Sequence, residues 1–225
     1  MANRDSRLDF LYERHSKRAF LDRPVPRELL TQCIDAAGQA VSSKNTQPWE
    51  LSILEGRAKD ELSTRLCTLF DADTPISPDY PYSPKPLPEP FKARARDCGY
   101  GIFTLKGIAK DDYAARKAHG RENFEFFGAP TAIIFHTADS AEKGTFLDLG
   151  AYLQSFLLAL SAVGLGACPQ YSVAYYPDTI RDCLGLPESQ LIVCGISLGY
   201  PDPDAKVNKY IPTRLDVTEF TRWTR

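Results

Sequence analysis

The chain has 225 residues, 43% of them hydrophobic and 25% charged, and its net charge of −2 comes from 27 basic and 29 acidic side chains. This describes one globular domain with a full core, residues 1–225, and argues against a dedicated nucleic-acid binder, which is normally basic. Six cysteines, none within four residues of another, and three histidines make neither a CxxC redox motif nor a zinc half-site, so no metal is expected.

In chain order, the opening residues are polar and charged and do not resemble a signal peptide. The cytoplasm is the expected location. Residues 7–14 predict a short helix with Leu8, Leu11 and Tyr12 on one face. Pro26 is expected to start a second helix, in which Leu29, Leu30, Cys33, Ile34 and Ala37 recur at helical spacing. Residues 50–54 read as a strand with Leu51 and Ile53 as its apolar stripe, and 59–70 as a helix. Residues 71–90 hold seven prolines, at 75, 78, 81, 84, 86, 88 and 90, which exclude a helix or inner strand. This is a surface insertion, either passive or functional, whose Tyr80 and Tyr82 could pack over a neighbouring surface. Residues 91–120 predict two helical pieces broken at Gly107, and 131–137 a buried strand. Residues 146–163 predict a central helix that is apolar on most faces. Asp148, Gln154 and Ser161 interrupt it, so it reads as buried and not as a membrane span. Residues 164–171 read as a loop, 175–184 as a helix and 191–198 as a buried strand. The tail carries Leu215, Val217, Phe220 and Trp223 and needs something to pack on.

Two segments carry chemistry. Arg14, His15, Ser16, Lys17 and Arg18 put cations beside a hydroxyl, as phosphate oxygens require, although the same cations also suit a solvated helix end. Ser42, Ser43, Asn45 and Gln47, before Pro48 and Trp49, offer the donors and acceptors that the edge of a heterocycle needs, although Ser and Asn also serve turns and caps. Together they suggest a phosphorylated ring cofactor.

The pattern R-H-S-x-[KR]-A-F at 14–20, followed by S-S-x-N-x-Q-P-W at 42–49, resembles the FMN-dependent nitroreductase family, and the aromatic segment 123–130 resembles its nitrobenzoate-reductase-like branch. The resemblance implies an α+β fold: a mostly antiparallel sheet flanked by helices, in a domain-exchanging homodimer whose residues 201–225 reach across to the partner subunit. It implies FMN, with the phosphate on Arg14, Ser16, Arg18 and Arg214 and with His15 near the cofactor through its backbone. Lys17 falls at a variable position and is expected to face solvent. Ser42, Ser43, Asn45 and Gln47 would serve the flavin bound mainly by the other subunit, and Pro169, Gln170 and Tyr171 would approach its N5. The Glu-Gly pair of several relatives is missing near Tyr171-Ser172. Asn208 resembles a residue on the phosphate side, with Lys209 as a substitute for a second cation there. Asn123 is a mid-chain contact, with Arg121 and Glu122 as rivals, and Phe124 and Phe127 would line a substrate pocket. Cys168 reads as structural.

The implied activity is reduction of nitroaromatic compounds by NADPH or NADH, with no side-chain catalytic acid or base. Quinones, activated alkenes or halogenated phenols are alternative acceptors on the same fold. A dimeric, non-enzymatic module that binds a phosphorylated ligand is the alternative outside enzymology.

Overall fold

In the computed structural model, which describes residues 5–224, strands β1 (Glu50–Glu55), β2 (Thr131–Ala138), β3 (Gly166–Gln170) and β4 (Gln190–Gly199) form one antiparallel sheet in the order β1-β2-β4-β3. The first four residues of the polar opening and the last residue of the tail lie outside that range. The helices are α1 (Asp9–Glu13), α2 (Arg27–Ala37), α3 (Gly56–Asp71), α4 (Glu89–Lys106), α5 (Tyr113–Arg121), α6 (Lys143–Ala162), α7 (Pro177–Leu184) and α8 (Val217–Phe220).

Local chemistry accounts for most boundaries. Pro26 is the N-cap of α2, and Gly107 ends α4 at φ 69°, a left-handed cap that favours glycine. On β2, Ile133 and Phe135 join the core under α2 and α6, while Ala132 and Ile134 join the core with residues of α3 and α7. Burial of both faces explains why this strand reads as a continuous apolar run.

Three expectations change. Residues 166–170 are strand β3, not a loop. Pro169 is tolerated there because β3 is an edge strand with β4 on one side only. In β1 the buried residue is Leu54, whereas Ile53 remains 45% exposed. The central helix begins earlier, at Lys143, and its most apolar window, of mean hydropathy 1.3, is only 28% buried. By length and composition α6 could cross a membrane, yet it packs Tyr152, Phe156 and Leu160 into the core. Its Leu147 and the tail residues Val217, Phe220 and Trp223 are exposed in the single protomer.

Strand β3 is half the length of β4, so the edge of β4 at Ile192–Cys194 has no strand beside it. The Pro-rich segment covers it. The Ile192 N–H donates to Asp79 Oδ2 at 2.8 Å, and the Tyr80 hydroxyl donates to the Val193 carbonyl at 2.8 Å. Arg181 of α7 clamps Asp79 at 2.8 and 3.1 Å. Pairing these backbone groups satisfies an edge that would otherwise be open.

Candidate functional site

Residues 14–18 run extended beside β3, with the Lys17 N–H donating to the Ala167 carbonyl at 3.1 Å. Side chains of an extended segment alternate between faces. His15 and Lys17 share one side: His15 Nδ1 lies 2.8 Å from the Glu13 carbonyl, and Nε2 lies 3.0 Å from the Asn208 carbonyl and 2.9 Å from Lys17 Nζ. Lys17 also reaches the Asn208 carbonyl at 3.3 Å. Lys17 is therefore half-buried and not solvent-facing, because its stem packs against Gly166. Burial lowers its pKa.

Arg14, Ser16 and Arg18 turn to the other side and gather around the buried Cys168 thiol. Burial pushes that thiol up, while Arg18, Ser16 and Arg14 pull it down. Arg214 arrives from the C-terminal segment. Burial lowers the pKa of Arg14, and the charge of Arg214 lowers it further. Among the described residues none of these three arginines has a carboxylate within salt-bridge distance, and Arg14 Nε is buried without a hydrogen-bond partner. Converging cations without an anion, one with an unused buried donor, fit a phosphate.

Asn208 fixes the arrangement. It is 5% exposed; its Oδ1 accepts the Arg18 N–H at 2.7 Å, and its Nδ2 donates to the carbonyls of Ala19 and Asp202 at 2.7 and 2.9 Å. This positioning role, through the backbone of the clamp, is the part that residue type alone did not reveal. Lys209 is exposed beside it.

The other end of β3 opens into a cavity of about 630 Å³. Pro169, Gln170 and Tyr171 line it, with Phe135, Phe146 and Tyr80 among the opposing walls. The distance from Ala167 beside the clamp to Gln170 at the cavity is about 10 Å, at the usual strand rise. The carboxamide of Gln170 is already committed, donating to the Asn123 carbonyl at 2.7 Å and accepting from the Ser197 hydroxyl. It therefore holds β3 to the turn at 123, and its part in the cavity wall falls to the main chain. Arg121 is paired with Asp71 and Glu125, and Glu122 with Lys106 and His119, so neither rival of Asn123 is free.

Phe124 is not a cavity wall. Its ring is 1% exposed, packed on Phe70 at 5.0 Å and Tyr176 at 5.8 Å, because the turn that carries it folds onto α3 and α7. Phe127 is 8% exposed, in a left-handed conformation at φ 52°, and lies 6.5 Å from His119. It too lies away from the 630 Å³ cavity.

The loop at 43–47 is exposed, beside a half-buried Ser42, and strained: Lys44, Asn45 and Gln47 have φ of 53°, 60° and 48°. The Gln47 N–H donates to Ser42 Oγ at 3.1 Å, and the Ser43 N–H donates to Asp148 Oδ2 at 3.1 Å. Arg14 instead lies beside Leu157 and Ser161 of the same helix. Nine residues of helix separate Asp148 from Leu157, about 14 Å at the usual rise. Within one chain, then, the two sequence motifs do not meet, and Ser42, Ser43, Asn45 and Gln47 do not line the cavity.

Comparison with known proteins identifies the family. Residues 11–200 match the model of the nitroreductase family. The chain is 38% identical to the 4-nitrobenzoate reductase of Pseudomonas putida, over 93% of this chain and 92% of the relative. It is 34% identical to the chloronitrobenzene nitroreductase of Comamonas testosteroni, over 95% and 94%. Among solved structures, the FMN and NADPH-dependent nitroreductase NfnB from Sphigopyxis sp. strain HMH superposes with a TM-score of 0.93 at 32% identity, covering 98% of this chain and 99% of that one. The FMN-dependent nitroreductase NfnB from Mycobacterium smegmatis, solved with NADPH, gives 0.91 at 32% identity, covering 96% of each. With its antiparallel sheet and this similarity over nearly its whole length, the chain belongs to the nitroreductase family.

Proposed function

We propose that this protein is an FMN-dependent NAD(P)H oxidoreductase that reduces nitroaromatic compounds and works as a homodimer. The observation that carries the reading is the anion-ready cluster of Arg14, Ser16, Arg18 and Arg214 beside β3, in a chain similar to FMN-dependent nitroreductases over nearly its whole length. The relatives named for 4-nitrobenzoate and chloronitrobenzene reduction support the acceptor class.

When bound, FMN supplies two-electron chemistry between NAD(P)H and the nitro group. The chain's own residues bind and orient. Arg14, Ser16, Arg18 and Arg214 hold the phosphate, and their charge offsets the anionic group where side chains have partly excluded water. The main chain of Pro169–Tyr171 presents backbone groups to the ring edge. Gln170, locked by Asn123 and Ser197, keeps that strand from shifting. Phe135, Phe146 and Tyr80 give the cavity flat apolar walls. No described side chain is assigned as acid or base; protons come from solvent.

The strained loop carrying Ser42, Ser43, Asn45 and Gln47 serves the site of the second copy. Its separation from Arg14 along α6, the exposed Leu147 and the exposed apolar tail support that assembly. A two-fold dimer then has two equivalent sites, each built from both chains.

The test is the visible absorption spectrum of the purified protein before and after anaerobic NADPH, followed by an acceptor panel that includes quinones, activated alkenes and halogenated phenols. Flavin bands that bleach, and recover fastest with nitroaromatics, are expected. A protein that stays colourless after FMN is added would overturn the proposal.

A further inference from the structure

The Pro-rich segment lines the 630 Å³ cavity and an outer one of about 610 Å³. A third hollow, of about 650 Å³, shares no residue with either and lies between α4 and the C-terminal segment. Arg94 and Cys98 of α4 line it together with Pro212, Arg214, Leu215 and Phe220. Its charge is one-sided, because the two arginines are its only charged lining residues. Among the described residues neither has a carboxylate within salt-bridge distance, and the Arg94 guanidinium lies instead 5.1 Å from the Phe91 ring. The C-terminal segment comes close to α4 because of Gly101, where a Cβ would stand 2.3 Å from the Tyr210 ring. Arg214 also belongs to the clamp, where its charge acts on Arg14. The hollow therefore adjoins the phosphate end of the site.

We propose that this hollow takes the adenosine end of NADPH, with Arg94 on the 2′-phosphate, and so makes the protein prefer NADPH to NADH. This rests on the reductase reading above and names the coenzyme that the reading leaves open. NADPH and NADH differ only in that phosphate, which is remote from the nicotinamide. Discrimination therefore needs a cation away from the flavin ring, and an arginine fork matches a phosphate. The ring of Phe220 and the apolar faces of Pro212 and Leu215 suit adenine. Charge complementarity names the occupant: two arginines without an acid favour an anion, and Arg214 is shared with the place where the flavin is held. With Arg214 on the flavin phosphate, Arg94 is left for a second one.

The experiment uses the FMN-loaded protein with NADPH and NADH as reductants, and with 2′,5′-ADP and 5′-AMP as probes that carry no nicotinamide. In anaerobic stopped flow, Arg94→Ala should raise the NADPH concentration that half-saturates flavin bleaching about tenfold and change that for NADH less than about twofold, as expected for losing one charged contact to a phosphate. Arg94→Lys, which keeps the charge without the fork, should fall between Arg94→Ala and the wild type. In calorimetry the wild type should bind 2′,5′-ADP about tenfold more tightly than 5′-AMP, and Arg94→Ala should bind the two alike. The Kd for FMN should stay at the wild-type value in both variants. Equal changes for NADPH and NADH, no change for either, or probes that the wild type does not distinguish would overturn the proposal. A weaker Kd for FMN in Arg94→Ala would also overturn it, by giving Arg94 to the flavin phosphate. A wild type that neither coenzyme bleaches would instead overturn the reductase reading, while the two probes still test the hollow, which separates the two failures.

Discussion

Replacing Arg14 by methionine should move the stability of the FMN-free and FMN-loaded proteins in opposite directions. Without FMN, Arg14 has a buried Nε with no partner, and Arg214 repels its charge. Methionine keeps much of the apolar stem and removes both penalties. The gain is about 1 kcal/mol, the low end for an unpaired buried donor, because the rest of the guanidinium is half-exposed and screened. With FMN, the substitution removes charge-assisted hydrogen bonds worth about 1.5–3 kcal/mol, so affinity falls roughly 10-fold to 100-fold. At an FMN concentration about 100 times the wild-type Kd, binding stabilises the wild type by about 2.7 kcal/mol, and a 50-fold weaker variant retains roughly 0.6 kcal/mol. The net expectation is a loss of about 1 kcal/mol when loaded. For a domain of this size each kcal/mol shifts Tm by about 2–4 °C, so Tm should rise by that much without FMN and fall by that much with it. Thermal melts of the apoprotein with and without FMN, together with a fluorescence titration of Kd, check this. A variant that is less stable without FMN and has an unchanged Kd would refute the phosphate-clamp reasoning and make Arg14 a structural residue.

Asn208→Ala should cost about 1–3 kcal/mol in urea unfolding, because the Arg18 N–H and the Asp202 carbonyl lose their partner while the Ala19 carbonyl keeps only the Asp202 N–H; it should also weaken FMN binding, since Arg18 is no longer held. For Glu122, burial works against the charge, but hydrogen bonds from His119 and Lys106 outweigh it and hold the pKa below its ordinary 4.5. A depressed carboxylate stabilises the fold above its unfolded pKa and ceases to as pH falls through the folded value. The gap in urea midpoint between the wild type and Glu122→Gln should therefore be full near neutrality and close below about pH 4.5. A gap that is constant with pH would show that the ion pair is not its source. Leu147, exposed on α6, should when changed to Glu shift the particle mass in light scattering from dimer toward monomer without altering the circular dichroism spectrum.

The parts of the fold that the sequence made legible are those set by local chemistry. Pro26, the break at Gly107 and the unbroken apolar run of β2 each report a neighbour-to-neighbour constraint. Strand β3 was not legible, because Gly166 and Pro169 are poor strand formers and only pairing to β4 makes an edge strand of them. The cluster of Arg14, Ser16 and Arg18 could be read from residue types as a candidate anion site, whereas the division of segment 14–18 into one face toward Cys168 and one toward Asn208 could not. That division depends on a partner some 190 residues away in the chain. Aromatic type alone likewise could not tell that Phe124 is core while Tyr80 and Tyr82 form walls, since both answers come from packing between distant segments.

The short β3 leaves half of the β4 edge to a segment with no regular structure, anchored by one carboxylate and one hydroxyl. The framework and the segment that lines the cavities are thereby separable. A change of length or sequence in the Pro-rich segment between Tyr80 and α4 reshapes the cavities without altering the register of any strand or the position of the clamp. Evolution, or an engineer seeking a new acceptor, can rewrite that stretch while Asp79, Tyr80 and Arg181 keep the sheet edge sealed.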